Sequence, residues 1–146
     1  MKITLHQSKA MVLGYGRIGK ILCKMLHGIG AHVHAVVRQY SDAAIVRSFG
    51  YTPIFFNNLQ ENLCNMDVIF NTVPSIILDK NNLKFIQKDC VIIDMASKPF
   101  GVDYEASKGE GLKVMWASSL PGKVAPVTAA DYIKETVYNI LSELEG

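Results

Sequence analysis

The sequence predicts a single doubly wound α/β domain, a parallel sheet with helices on both faces. Three observations carry that expectation. Short apolar runs alternate with helical or turn-rich segments about six times along the chain, the pattern of repeated βαβ units. One of these runs, CVIIDMA, is apolar enough to be buried on both faces, as strands of parallel sheets are. The turn LGYGRIG falls between the first apolar run and the first helical pattern.

The elements follow in order. Residues 1–9 are polar and without periodicity, and read as the tail of an upstream helix. KAMVLG gives the first strand, at about 10–14. In RIGKILCKMLHGIG, Ile18, Ile21, Leu22, Met25 and Leu26 share one helical face, and Gly28 or Gly30 ends the helix. HVHAVV is the second strand, and His32 and His34 share a solvated or edge face of it. A short helix runs from Ser41 as N-cap to Gly50. YTPIFF is the third strand, where Pro53 suits an edge or a strand start. NNLQENLCNM is a short helix or helical turn, and DVIFNTV is the fourth strand, ended by Pro74. DKNNLKFIQK is helical, CVIIDMA is the fifth strand, GVDYEASKGEG includes a helix, and KVMWA is the sixth strand. From about Thr128, apolar residues from Ile133 to Leu144 repeat at helical spacing and predict a terminal amphipathic helix. No linker or repeat divides residues 1–146, so the chain reads as one domain.

Composition narrows the function. With 146 residues, 49% hydrophobic and 19% charged, the chain can fill a real core. A net charge of +2, scattered along the chain, gives no basic footprint for nucleic acid. No apolar run is long enough for a membrane span and no signal peptide is visible, so a cytoplasmic protein is expected. Cys23, Cys64 and Cys90 are odd in number and form no C-x-x-C pair, so they read as small core residues in a reducing compartment. The four histidines lack metal-ligand spacing, and no metal is expected.

The glycine turn supplies Gly14, Gly16 and Gly19 in G-x-G-x-x-G spacing between a predicted strand and a predicted helix. That context points to dinucleotide binding in a Rossmann-type fold, with strand order 3-2-1-4-5-6. Gly14 permits the turn, Gly16 lets a pyrophosphate approach the backbone, and Gly19 lets the helix pack on the strand. Phosphates then lie at the helix N-terminus, within reach of Tyr15, Arg17 and Ile18. A tight turn without a ligand is the alternative.

Arg38 lies nineteen residues after Gly19, where an acidic residue would hold the adenosine ribose of NAD. A carboxylate repels a 2′-phosphate, whereas a guanidinium pairs with it and stacks on adenine. Ser41 can add a hydroxyl. NADP is therefore the expected preference, with NAD also accepted. Read otherwise, Arg38 is a solvated charge, Ser41 a helix cap, and Asp42 part of the first helical turn.

Ligands of such sheets bind beyond the carboxyl ends of the strands. Three stretches fall there. NTVPS (71–75) would pass Thr72, Val73 and Pro74 beneath the nicotinamide ribose. In DMASKPFGVDY (94–104), Ala96 and Ser97 allow close approach, and Lys98 offers a cation to an acidic substrate. In WASSLPGKVAP (116–126), prolines and a glycine stiffen a loop whose one charge is Lys123, the candidate catalytic and substrate-binding residue. Simple turn chemistry is the alternative for each. No histidine occurs in the three stretches.

VLGYGRIGK, DVIFNTVPS, IIDMASKPFGVDY and LPGKVAPVTA together resemble the C-terminal nucleotide-binding domain of the dipicolinate synthase family, in its A-type subunit, from about residue 5 to the end. The last two motifs are the specific ones. The chain is also similar to the cofactor domains of D-2-hydroxyacid dehydrogenases and adenosylhomocysteinase. The resemblance implies an oxidoreductase of spore formation that dehydrogenates dihydrodipicolinate, a small dicarboxylate, to dipicolinate with NADP or NAD. It also implies a small flavoprotein-like second subunit, the B-type one of the pair. The family carries an additional N-terminal domain, which is expected to be absent from this chain and to act in cis or in trans. Alone, the domain is expected to be inactive and to expose a packing surface that favours a homodimer. Two other readings remain open: another NAD(P)-dependent dehydrogenase, such as one acting on D-2-hydroxyacids, and a non-enzymatic nucleotide sensor.

Overall fold

In the computed structural model, residues 5–97, 100–117, 135, 138 and 139 are described. The apolar runs become six strands: β1 (Lys9–Leu13), β2 (His32–Val37), β3 (Thr52–Phe55), β4 (Val68–Asn71), β5 (Val91–Asp94) and β6 (Lys113–Trp116). All pairings are parallel, and the order is β3-β2-β1-β4-β5-β6, the expected Rossmann-type arrangement. The strands are added outward in one direction from β1 to β3 and in the other from β4 to β6, and a crevice opens at the carboxyl ends of such a switch point.

Among the described residues, five α-helices connect the strands: α1 (Arg17–Ile29), α2 (Tyr40–Ser48), α3 (Leu59–Leu63), α4 (Lys80–Leu83) and α5 (Tyr104–Gly109), with a 3-10 turn at Phe56–Asn58. Side-chain alternation along the strands splits the core in two. Ala10 and Val12 of β1 pack in one cluster with Leu22, Cys23 and Leu26 of α1 and with Ala43 and Val46 of α2. Met11 and Leu13 join the other, with Leu59 and Leu63 of α3 and Leu83 of α4. All four side chains of β5 are buried, as its apolar run predicts. Phe70, wholly buried in β4, is one of the largest packed side chains.

Local chemistry sets the boundaries. Gly30, at φ 96, ends α1, and the Gly30 and Ala31 amides donate to the carbonyls of His27 and Leu26. These paired bonds form a Schellman motif that uses up the last carbonyls of the helix. Asp79 and Asp103 cap α4 and α5, accepting from the Asn82 and Ala106 amides at 3.0 and 3.1 Å. Pro53 sits in edge strand β3, as expected.

Four expectations change. Residues 5–8 are no helix tail: Leu5 is buried in the core, and the Gln7 amide donates to Gly30 O across a turn. Ser41 is not the N-cap of α2, because the helix starts at Tyr40 after Gln39. The Ser41 hydroxyl makes only a long 3.4 Å contact to the Gln39 side chain. Cys64 is exposed, while Cys23 and Cys90 are buried as expected. His32 is exposed, but His34 is half-buried in an interior strand, and desolvation lowers its pKa. The expected helix beyond Thr128 lies outside the described residues, apart from isolated positions. Among the described residues, no helix is long and apolar enough to cross a membrane.

Candidate functional site

The site begins where β1 ends. Leu13 O accepts from the Thr72 amide at 3.1 Å and the Thr72 hydroxyl at 2.7 Å, which ties the β1 turn to the end of β4. Gly14 then takes φ 97, and a Cβ there would meet the side chains of Thr72 and Val73 below 3 Å. A Cβ on Gly19 would strike the Gly14 carbonyl oxygen, so the first turn of α1 can lie on the loop only as glycine. Gly16 differs. A Cβ there would meet nothing within 4 Å, so no protein contact demands a glycine. The space it leaves borders the start of α1, which has no side-chain cap and no acidic residue in its first turn. The first amides of α1 lack intrahelical acceptors and the helix dipole is uncompensated, which suits an anion. A dinucleotide pyrophosphate fits this cradle.

A cavity of about 310 Å³ continues from the turn across the end of β2. Gly14, Tyr15, Gly16 and Val73 line one part, and Arg38, Gln39, Asp42 and Phe56 line another. The Arg38 guanidinium lies 4.4 Å from the centre of the Phe56 ring, a cation–π contact that limits its freedom. Burial raises the pKa of the Tyr15 phenol, helped by Cys23, Tyr51 and the negative charge of Asp42.

The ends of β4 and β5 are organised differently. Asn71 and Asp94 stand side by side in register, and both are buried. Asp94 accepts from Asn71 Nδ2 at 3.1 Å, the Ala96 amide at 3.1 Å, the Gly101 amide at 3.0 Å and the Tyr104 hydroxyl at 3.4 Å. Asn71 also bonds both the amide and the carbonyl of Val73. A Cβ on Gly101 would collide with the Asn71 side chain. Phe100, at φ 71, stacks on Trp116, and Tyr104 meets the same ring edge-on. Burial, then the Asp94 charge and its hydrogen bond, raises the pKa of the Tyr104 phenol.

The fold brings Gly14, Tyr15, Gly16, Arg38 and Val73 to one cavity. Arg17 and Ile18 are exposed in the first turn of α1, and buried Gly19 lies beneath it. Ser41 is exposed and does not line the cavity. The Thr72 proton is committed to Leu13, and Pro74 is exposed beside Val73. Ala96 and Ser97 follow β5, Ala96 half-buried and Ser97 exposed. Lys98 and Lys123 lie outside the described residues. Sequence reasoning gave no site role to Gln39 just before α2, to Asp42 in the first turn of α2, or to Phe56 just after β3, all of which line the cavity. It also passed over Asn71 and Asp94, although a polar residue closing a short apolar run was the signal. Among the described residues, no group of three or more His, Cys, Asp or Glu can hold a metal ion.

The parallel sheet, its switch point and the glycine turn define a Rossmann-type nucleotide-binding domain. A family model described as D-isomer specific 2-hydroxyacid dehydrogenase, NAD binding domain, matches residues 1–99, and the chain belongs to this family. The chain is also similar to the A-type subunit of dipicolinate synthase from Bacillus subtilis (strain 168). The two are 32% identical over 143 residues, 98% of this chain and 48% of the relative. The crystal structure of that Bacillus subtilis synthase subunit superposes with a TM-score of 0.82 over 99% of this chain and 48% of that one, at 32% identity. The corresponding dipicolinate synthase subunit from Bacillus halodurans gives 0.78 at 25% identity, over 100% and 49%. The chain thus spans about half the length of these relatives.

Proposed function

We propose that this chain is the cofactor-binding half of an oxidoreductase that dehydrogenates dihydrodipicolinate to dipicolinate. One observation carries the reading: the likeness to the dipicolinate synthase A-type subunit covers 98% of the chain, whereas the broader dehydrogenase family model stops at residue 99. The later motifs, including LPGKVAPVTA, thus fall within the specific likeness.

In this reading the pyrophosphate lies on the turn Gly14–Gly19, against the amides that begin α1, with Arg17 adding positive charge. Arg38 receives the adenosine end and selects NADP over NAD through the 2′-phosphate, with Ser41 nearby. Thr72, Val73 and Pro74 pass along the nicotinamide ribose, and Ala96 and Ser97 leave room for the ring. Lys98 and Lys123 hold the substrate carboxylates, and Lys123 is also the candidate catalytic residue. When bound, the oxidised nicotinamide accepts a hydride from a ring carbon of the substrate. The substrate also loses a proton and becomes aromatic, so the products are dipicolinate, the reduced cofactor and H⁺.

The reacting cleft requires a further N-terminal domain, supplied in cis or in trans. That the relative is one subunit of its enzyme supports a second, flavoprotein-like partner. Spore formation and a cytoplasmic setting belong to the same reading. The family match favours one other reading, a cofactor domain for D-2-hydroxyacid oxidation. Against it, stretches 71–75, 94–104 and 116–126 contain no histidine for acid–base work.

Two experiments test this. Calorimetric titration of the chain with NADPH and NADH should give tighter NADPH binding, by about tenfold or 1.4 kcal/mol. Joined to the N-terminal half of a dipicolinate synthase A-type subunit, it should form dipicolinate. Oxidation of a D-2-hydroxyacid instead would overturn the substrate assignment.

A further inference from the structure

We propose that Asp42 is a second specificity determinant of the cofactor site, set against Arg38, and that it restrains the NADP preference. The inference rests on the dinucleotide reading above and goes beyond it in assigning opposed roles to two side chains.

Arg38 follows β2, and Asp42 occupies the first turn of α2, four residues on. Both line the same cavity, together with Gln39. The Arg38 guanidinium is seated on Phe56, which holds its charge in place without neutralising it. Asp42 is half-buried at the cavity wall, and its charge adds a little to the rise in the pKa of Tyr15, which lines the same cavity. A ligand at this end of the cavity therefore meets one fixed cation and one carboxylate.

The two charges act oppositely on the two cofactors. A 2′-phosphate gains from Arg38 and is repelled by Asp42, because both side chains line the cavity that would hold it and like charges repel. A ribose bearing free hydroxyls loses nothing to a carboxylate and can donate to it. The preference for NADP is thus a difference between two opposed effects. A simpler role for Asp42 exists: an acidic residue in the first turn steadies α2 against its dipole. That role predicts a small loss of stability on neutralisation and no change in cofactor ratio.

The test is calorimetric titration of the wild-type chain, Asp42→Asn, Asp42→Glu and Arg38→Ala with NADPH and NADH at equal salt, with thermal unfolding of each. The wild type should favour NADPH by about tenfold. Asp42→Asn should widen the ratio by roughly a further tenfold, as expected for removing one nearby like charge. Asp42→Glu keeps the charge and should stay near the wild-type ratio, and Arg38→Ala should favour NADH. An Asp42→Asn ratio within about twofold of wild type overturns the inference and leaves the dinucleotide reading intact. Binding of neither cofactor by the folded wild-type chain overturns that reading, and this inference with it.

Discussion

The two ends of the crevice handle polar groups in opposite ways. At the β2 end, Arg38, Gln39 and Asp42 line an open cavity, and Arg38 is restrained by the face of Phe56. At the ends of β4 and β5, the polar atoms of Asn71 and Asp94 are bonded to the protein itself. Charge left at a cavity wall is available to a ligand. Charge satisfied internally stabilises the loops that a ligand would touch. Asp94 thus holds the amides of Ala96 and Gly101, while the β2 end leaves Arg38, Gln39 and Asp42 at a cavity wall. The carboxyl ends of one sheet thus carry an internally bonded half and a half open to a ligand.

The largest effect should come from breaking the internally bonded half. Asp94→Ala would strip an acceptor from two amides, one amide side chain and one phenol, and should cost about 3–5 kcal/mol of stability. Chemical denaturation measures it, and a loss below about 1 kcal/mol would mean water replaces the carboxylate without penalty.

Gly16→Ala should do the reverse. Its Cβ meets no protein atom, so stability should stay within about 0.5 kcal/mol. Cofactor affinity should fall by about tenfold or more if the pyrophosphate lies on the glycine turn as proposed, because the methyl would take up that space. Unchanged affinity by calorimetry would place the phosphates elsewhere.

Phe56→Ala removes the platform under Arg38. It should weaken NADPH binding by about 2–5-fold, matching a cation–π contact of about 0.5–1 kcal/mol at a partly exposed site. NADH binding should change less, and an equal loss for both cofactors would make Phe56 a wall of the cavity and nothing more.

The smallest effect is confined to alkaline solution. The Tyr104 phenol has its pKa raised above 10.0 in the folded chain by burial and by Asp94. The folded state therefore keeps that proton where the unfolded state loses it. The stabilisation is complete below the unfolded pKa and is lost as pH rises through the folded one. Thermal unfolding from about pH 8 to 11 should show a shallower alkaline decline in Tyr104→Phe than in wild type. Parallel curves would dissociate Tyr104 from the Asp94 network.

By itself the sequence determined the fold class, the strand order and the glycine turn between β1 and α1. These depend on local patterns: apolar runs of strand length, helical periodicity in α1, and glycines at the one spacing that lets a helix start against a strand. Arg38 was legible for the same reason, as the residue closing the second apolar run. The N-terminus of α2 was less legible, because the Ser41 hydroxyl suits a cap as well as a first-turn position, and the backbone chose Gln39. The partners of Arg38 and the buried pairing of Asn71 with Asp94 were decided only in three dimensions. Phe56 lies eighteen positions after Arg38 and Asp94 twenty-three after Asn71. Parallel strands bring such residues together through crossovers, so neither pair leaves a periodic trace in the sequence.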